Sequence, residues 1–100
     1  MRVVILIVGL PPKTPQSVAN RFAQKFYGQD ASTREGSYRY RKVGLLDRIP
    51  HRKLRRGVVI LRARDLIEVE EFLATWGALR EVRVIHATPD DLSALTPAAG

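Results

Sequence analysis

Arg52, Lys53, Arg55 and Arg56 fall within five consecutive positions, with Arg48 and His51 just ahead of them. Side chains of these types, this close together, suit phosphate. Arg presents a planar fork that matches two phosphate oxygens, and Lys adds a compact point charge. Arg39, Arg41 and Lys42 precede this group, and Arg62 and Arg64 follow it. From Arg34 to Arg64 the chain holds eleven Lys or Arg against two acids, Glu35 and Asp47, a balance of +9; the other 69 residues balance at −2. The net charge of +7 and the pI near 10.6 are therefore the work of one segment. So concentrated a field attracts polyanions, and phosphate backbones are the commonest of these in a cell. A solvated, solubilising loop is the plainer reading, but it suits scattered charges better than a cluster with so few acids between them.

Two further groups bear on chemistry. Tyr38 and Tyr40 are interleaved with Arg39, Arg41 and Lys42. Aromatic rings among cations suit single-stranded nucleic acid. Tyrosines at alternate strand positions are equally ordinary sheet residues. Asp47 and His51 offer the parts of a small nuclease, His51 as general acid or base and Asp47 to orient it. His51 also reads as one more basic loop residue. No His/Asp cluster has metal-ligand spacing, no glycine-rich phosphate loop appears, and cysteine is absent, so there is no thiolate chemistry and no disulfide framework. The expectation is a binding protein without a catalytic site, cofactor or metal.

The elements that must position these groups follow from periodicity. Val3–Val8 is a continuous aliphatic run, the pattern of a buried strand. It is too short to span a bilayer, and no small-residue cleavage site follows it. Thr14-Pro15 marks a helix start, and Val18, Phe22 and Phe26 share one face up to Gly28. Gln29–Gly36 reads as a polar loop and Ser37–Leu45 as a second strand. Asp47–Arg56 reads as a loop broken by Pro50, and Gly57–Ala63 as a third strand. Asp65 and Glu68 have capping-box spacing before a helix with Leu66, Val69, Phe72, Leu73 and Trp76 inward. Glu81–Ala87 is the fourth strand, and Thr88-Pro89-Asp90-Asp91 signals a short last helix.

Strand, helix, strand, strand, helix, strand predicts an α+β chain. The arrangement expected is a ferredoxin-like βαββαβ sandwich, a four-stranded antiparallel sheet with both helices on one face. Residues 1–96 make a single domain on this reading, with 97–100 a frayed tail. Ile5-Leu6-Ile7-Val8-Gly9-Leu10-Pro11 is similar to the first ribonucleoprotein motif of RNA-recognition-motif domains, and the helix carrying Phe22, Phe26 and Gly28 sits where those domains have a Phe-Gly pair. Arg56-Gly57-Val58-Val59-Ile60-Leu61-Arg62-Ala63 resembles the second motif. The same strand also resembles the N-terminal domain of NusG-type elongation factors. The resemblance implies the sandwich fold and RNA binding. The positions that carry base-stacking aromatics in that family are here Leu6, Val58 and Ile60, all aliphatic.

If Val3, Ile5 and Ile7 face the helices, then Leu6, Val58 and Ile60 leave an apolar patch on the open sheet face. A patch of that kind needs a cover. A homodimer through Leu6, Val58 and Ile60 is the first expectation. A fold-back of Asp90–Leu95 is the second, and docking of another protein the third. The function expected is a small basic nucleic-acid-binding protein. Its phosphate grip would be the hairpin 34–64, through Tyr38, Arg39, Tyr40, Arg41, Lys42, Arg48, His51, Arg52, Lys53, Arg55, Arg56 and Arg62. The alternative is an interaction module or a subunit of a ribonucleoprotein or transcription assembly. RNA and DNA are both admitted as partners, a membrane is not, and the location expected is cytoplasmic. Thirteen Arg against four Lys, with a single Asn, suit a thermophilic source and GC-rich coding alike.

Overall fold

A computed structural model describes residues 1–97 apart from 34 and 37; the rest of the expected tail, 98–100, lies outside the described residues. The chain is α+β and divides into two compact units, Met1–Lys13 together with everything from Ile49 onward, and Thr14–Arg48.

The first unit is built on a four-stranded antiparallel sheet. Its strands are β1 (Val3–Gly9), β4 (His51–Arg55), β5 (Val58–Arg62) and β6 (Leu79–Ile85), in the spatial order β4-β5-β1-β6. The aliphatic run of β1 occupies a central place, paired with β5 on one side and β6 on the other. A strand flanked on both edges can be apolar on both faces, which is what its sequence requires. The edge strand β4 falls in the segment expected to be a loop. HRKLR lacks the alternation that marks a strand, and the backbone ladder to β5 supplies the order its side chains do not advertise. The expected partner of β5, Ser37–Leu45, is not in this sheet.

Helix α2 (Leu66–Thr75) buries Val69 and Leu73. The capping box expected at its start does not form, because Asp65 accepts a 2.7 Å hydrogen bond from Arg62 Nε instead. Helix α3 (Pro89–Leu95) starts where the Thr88 signal places it and is closed by a capping box: Asp91 N–H donates to Thr88 Oγ1 at 3.1 Å, and Thr88 N–H donates to Asp91 Oδ2 at 2.9 Å. It also brings Leu95 into a cluster with Val3 and Ile60, edged by Ile5, Ile85 and Ala87.

That cluster corrects the expected interface. Cross-strand partners share a sheet face, and the register pairs Ile5 with Ile60, Ile7 with Val58, and Leu6 with Val59. Leu6 therefore lies on the face opposite Val58 and Ile60. Leu6 is 0% exposed and Ile60 3%, so neither can meet a second copy. The fold-back of α3, not a dimer, covers Ile60. One step of register separates the two arrangements, and an aliphatic strand apolar on both faces carries no mark of which face is which.

The second unit holds α1 (Gln16–Tyr27), the two-stranded ribbon of β2 (Gln29–Ser32) and β3 (Arg39–Lys42), and a 3-10 turn over Leu45–Arg48. Pro15, not Thr14, is the residue before the helix, and no side chain caps it. Phe22 and Phe26 are buried, with ring centroids 5.4 Å apart. Gly28 takes φ +81° at the helix end, where a Cβ would meet Asp47 and Arg41 side-chain atoms. Part of the expected loop 29–36 is thus a strand, paired in register from Gln29–Lys42 to Ser32–Arg39. The second helix of the expected sandwich, α2, belongs to the sheet unit; the first, α1, belongs to this one.

Candidate nucleic-acid interface

The basic segment is divided between the units. Tyr38, Arg39, Tyr40, Arg41, Lys42 and Arg48 belong to the second, and His51, Arg52, Lys53, Arg55, Arg56, Arg62 and Arg64 to the sheet unit. The single hairpin expected over 34–64 is two separate ones, β2–β3 and β4–β5.

In the β4–β5 hairpin the turn is Arg56-Gly57. Gly57 has φ +82°, a conformation that penalises any Cβ, and a Cβ there would stand 2.7 Å from the Val8 carbonyl oxygen. That closeness has a use: the Val8 N–H donates to Gly57 O at 2.8 Å and ties the turn to β1. The register shifts between Lys53 and Arg55, which leaves Leu54 as an extra residue. A bulge of this kind turns the following side chain to the other face. Arg52 pairs with Ile60 and Arg55 with Val58, so both lie on the α3 face of the sheet, while Lys53, opposite Val59, lies on the other.

Arg52 and Arg55 are employed differently. Arg52 Nη1 donates to Asp91 Oδ1 at 2.7 Å, and this carboxylate is buried at the start of α3. The Thr88 N–H is the main cause that holds the Asp91 carboxyl below the usual carboxylate range; burial opposes it and Arg52 assists it. Arg55 and Arg56 are exposed and meet no carboxylate among the described residues. A guanidinium group without a carboxylate keeps its donors open to an oxyanion such as phosphate.

Arg62, like Arg52, has a carboxylate, Asp65. With Arg64, Arg2, Ala63 and Met1 it lines a cavity of about 300 Å³. Arg2 is brought there by the Ala63 N–H, which donates to its carbonyl at 2.9 Å. Arg83 is a further addition. It pairs across the sheet with Ile5, which pairs with Ile60, which pairs with Arg52, so both edges of the α3 face carry an arginine. Arg2 and Arg83 are missed from the sequence because they lie far from the cluster along the chain, and only the register of β1 brings them to the same sheet.

On the ribbon, Arg41 is fully committed. It donates to Asp47 through Nε at 3.2 Å and Nη2 at 2.7 Å, to Asp30 through Nη1 at 3.3 Å, and to the Tyr27 carbonyl through Nη2 at 2.9 Å. Its pKa is raised, foremost by the Asp47 hydrogen bonds. Arg39 and Lys42 are exposed and meet no carboxylate among the described residues. Tyr38 and Tyr40 are 63% and 42% exposed, with ring centroids 6.2 Å apart and planes 17° from parallel. Arg48 ends the 3-10 turn, exposed.

The expected nuclease pair is split as well. Asp47, in the second unit, accepts from Arg41 and from the Gly44 N–H at 2.9 Å. His51, in the sheet unit, has Nδ1 2.8 Å from the Ile49 carbonyl, to which only an N–H can donate. Among the described residues no three His, Asp or Glu side chains are placed to hold a metal ion, and no helix is long and apolar enough to cross a membrane. Comparison with protein-family models, with characterised proteins and with solved structures finds no match for this chain.

Proposed function

We propose that this chain binds the phosphate backbone of nucleic acid through the β4–β5 hairpin, without turning its ligand over. The observation that carries the reading is the pair Arg55 and Arg56, exposed at a turn that Gly57 and Val8 fix, with no carboxylate partner among the described residues. Arg2 and Arg64, which line one cavity with the carboxylate-paired Arg62, extend the positive surface of this unit, whereas Arg83 on the far edge is paired with Glu81 at 4.0 Å. The reading includes the finer fold. An antiparallel order β4-β5-β1-β6 suits a ferredoxin-like sheet in which the ribbon is an insertion between α1 and β4.

The test is fluorescence anisotropy with labelled single-stranded RNA, single-stranded DNA and duplex DNA. Arg55→Ala/Arg56→Ala is compared with the unaltered chain at one moderate salt concentration. Loss of affinity by about tenfold or more on every ligand is expected, because phosphate contacts act uniformly across sequences. Equal affinity in the variant removes the proposal.

A second reading, docking of a protein, is favoured by Ile7 and Leu79. They are 44% and 55% exposed and share the α3 face. A second copy of the chain is one partner of that chemistry. An Ile7→Lys substitution that changes sedimentation behaviour but leaves nucleic-acid affinity intact would favour it.

A further inference from the structure

We infer that the β2–β3 ribbon is a binding site for unpaired nucleobases, with Tyr38 and Tyr40 as the stacking platform and Lys42 as a contact to the connecting phosphates. The inference rests on the nucleic-acid reading for its ligand class and narrows that class to single strands.

Tyrosines at alternate positions of a strand ordinarily cover something. These two do not. The ribbon is its own two-stranded sheet, and every residue of β3 is exposed. Across from Tyr40 stands Ala31, whose methyl group is too small to shield a ring. Across from Arg39 stands Ser32. Neither phenol hydroxyl has a hydrogen-bond partner among the described residues. The rings instead lie nearly parallel as a stacked pair, whose outer faces are open to bases of an extended strand.

The surroundings match that ligand. Lys42 shares the side of Tyr40 by strand alternation. An open hollow runs along the ribbon beside Tyr40, lined among the described residues by Asp30, Ala31, Ser32, Arg39, Tyr40 and Arg41. Arg41 does not contact the ligand on this account. Its bonds to Asp47, Asp30 and the Tyr27 carbonyl hold β3 in place, which lets an otherwise marginal two-stranded ribbon present the rings in one fixed geometry. Bases inside a duplex have both faces occupied by their neighbours, so the platform serves only unpaired ones.

The platform is tested by fluorescence of single-stranded RNA and DNA oligonucleotides carrying 2-aminopurine, whose emission falls when it stacks on an aromatic ring. The full chain is compared with Tyr38→Ile/Tyr40→Ile, which keeps strand-forming residues, and with Tyr38→Phe/Tyr40→Phe, which keeps the rings; circular dichroism verifies that each is folded. The unaltered chain and the Phe variant are expected to quench 2-aminopurine. The Ile variant is expected to lose the quenching and about tenfold or more in single-strand affinity, with duplex affinity unchanged. Stronger quenching of the RNA or of the DNA probe names the preferred strand. Retained quenching in the Ile variant, or an equal loss on duplex, overturns the inference. Absence of quenching in a chain whose binding still depends on Arg55 and Arg56 overturns the platform alone and leaves the hairpin proposal standing.

Discussion

Arg41 on the ribbon and Arg55 on the hairpin are the same residue type in the same basic run, and the structure uses them in opposite ways. Arg41 spends its guanidinium on Asp47, Asp30 and a backbone carbonyl. Arg55 has no such partner among the described residues. Arg52 stands between them, paired with the buried Asp91 at the start of α3. Charge density along a sequence therefore does not measure charge available to a ligand. Where a carboxylate is within reach, an arginine is a structural strut. Where none is, it is a candidate contact. The difference lies in placement: Asp30 comes opposite Arg41 through ribbon register, and Asp91 reaches Arg52 only because α3 folds back onto the sheet.

The contrast can be broken first at its structural end. Asp47→Ala removes the acceptor of the shortest Arg41 bond and the partner of the Gly44 N–H. Amide hydrogen exchange in Gln29–Ser32 and Arg39–Lys42 is expected to quicken by about tenfold or more, since hydrogen bonds to charged groups are the strong ones. Exchange in β1 should not follow. Unchanged ribbon exchange would show that Arg41 does not hold the ribbon.

Gly57→Ala is next in size. A methyl group at φ +82° and 2.7 Å from the Val8 oxygen must distort the turn. A loss of about 1 kcal/mol or more in urea unfolding is expected, with weakened nucleic-acid binding because Arg55 and Arg56 are re-aimed. Thr88→Ala probes the α3 cap and is expected to cost about 1 kcal/mol.

Acid sharpens the role of Arg52. The Asp91 carboxyl titrates below its unfolded counterpart, so its ionised form stabilises the fold. That stabilisation is fully present above the unfolded carboxylate pKa and is lost as pH falls through the lower folded value. Asp91→Asn should be less stable than the unaltered chain at neutral pH, and the gap should close in acid. A constant gap across the titration would contradict the account. The smallest effect belongs to Arg55→Ala, expected to leave unfolding free energy within about 0.5 kcal/mol.

Much of this was legible in the chain. β1, α1, α2, β6 and the Thr88 cap follow from periodicity and capping chemistry, and the central pairing of the first strand with Gly57–Ala63 follows from topology. What escaped was of two kinds. β4 and β2 are short, polar and exposed on at least one side, and such strands owe their order to the partner ladder rather than to their own side chains. The faces of β1 escaped because Val3, Val4, Ile5 and Leu6 are equally apolar, so only the register decides that Leu6 goes one way and Ile60 the other. For the site, the sequence identifies the basic run. It is silent on which arginines Asp30, Asp47, Asp65 and Asp91 neutralise, because three of those pairings depend on folded geometry or on long separations.

The most direct measurement is the salt dependence of binding to a single-stranded oligonucleotide, for the unaltered chain, for Arg55→Ala/Arg56→Ala and for Arg39→Ala. If Arg55 and Arg56 each neutralise a phosphate, the slope of log affinity against log salt falls by about 1.4 in the double variant, about 0.7 for each phosphate of a single strand that is no longer neutralised. A slope that stays where it was, with Arg55 and Arg56 gone, would contradict the claim that this hairpin is the phosphate grip.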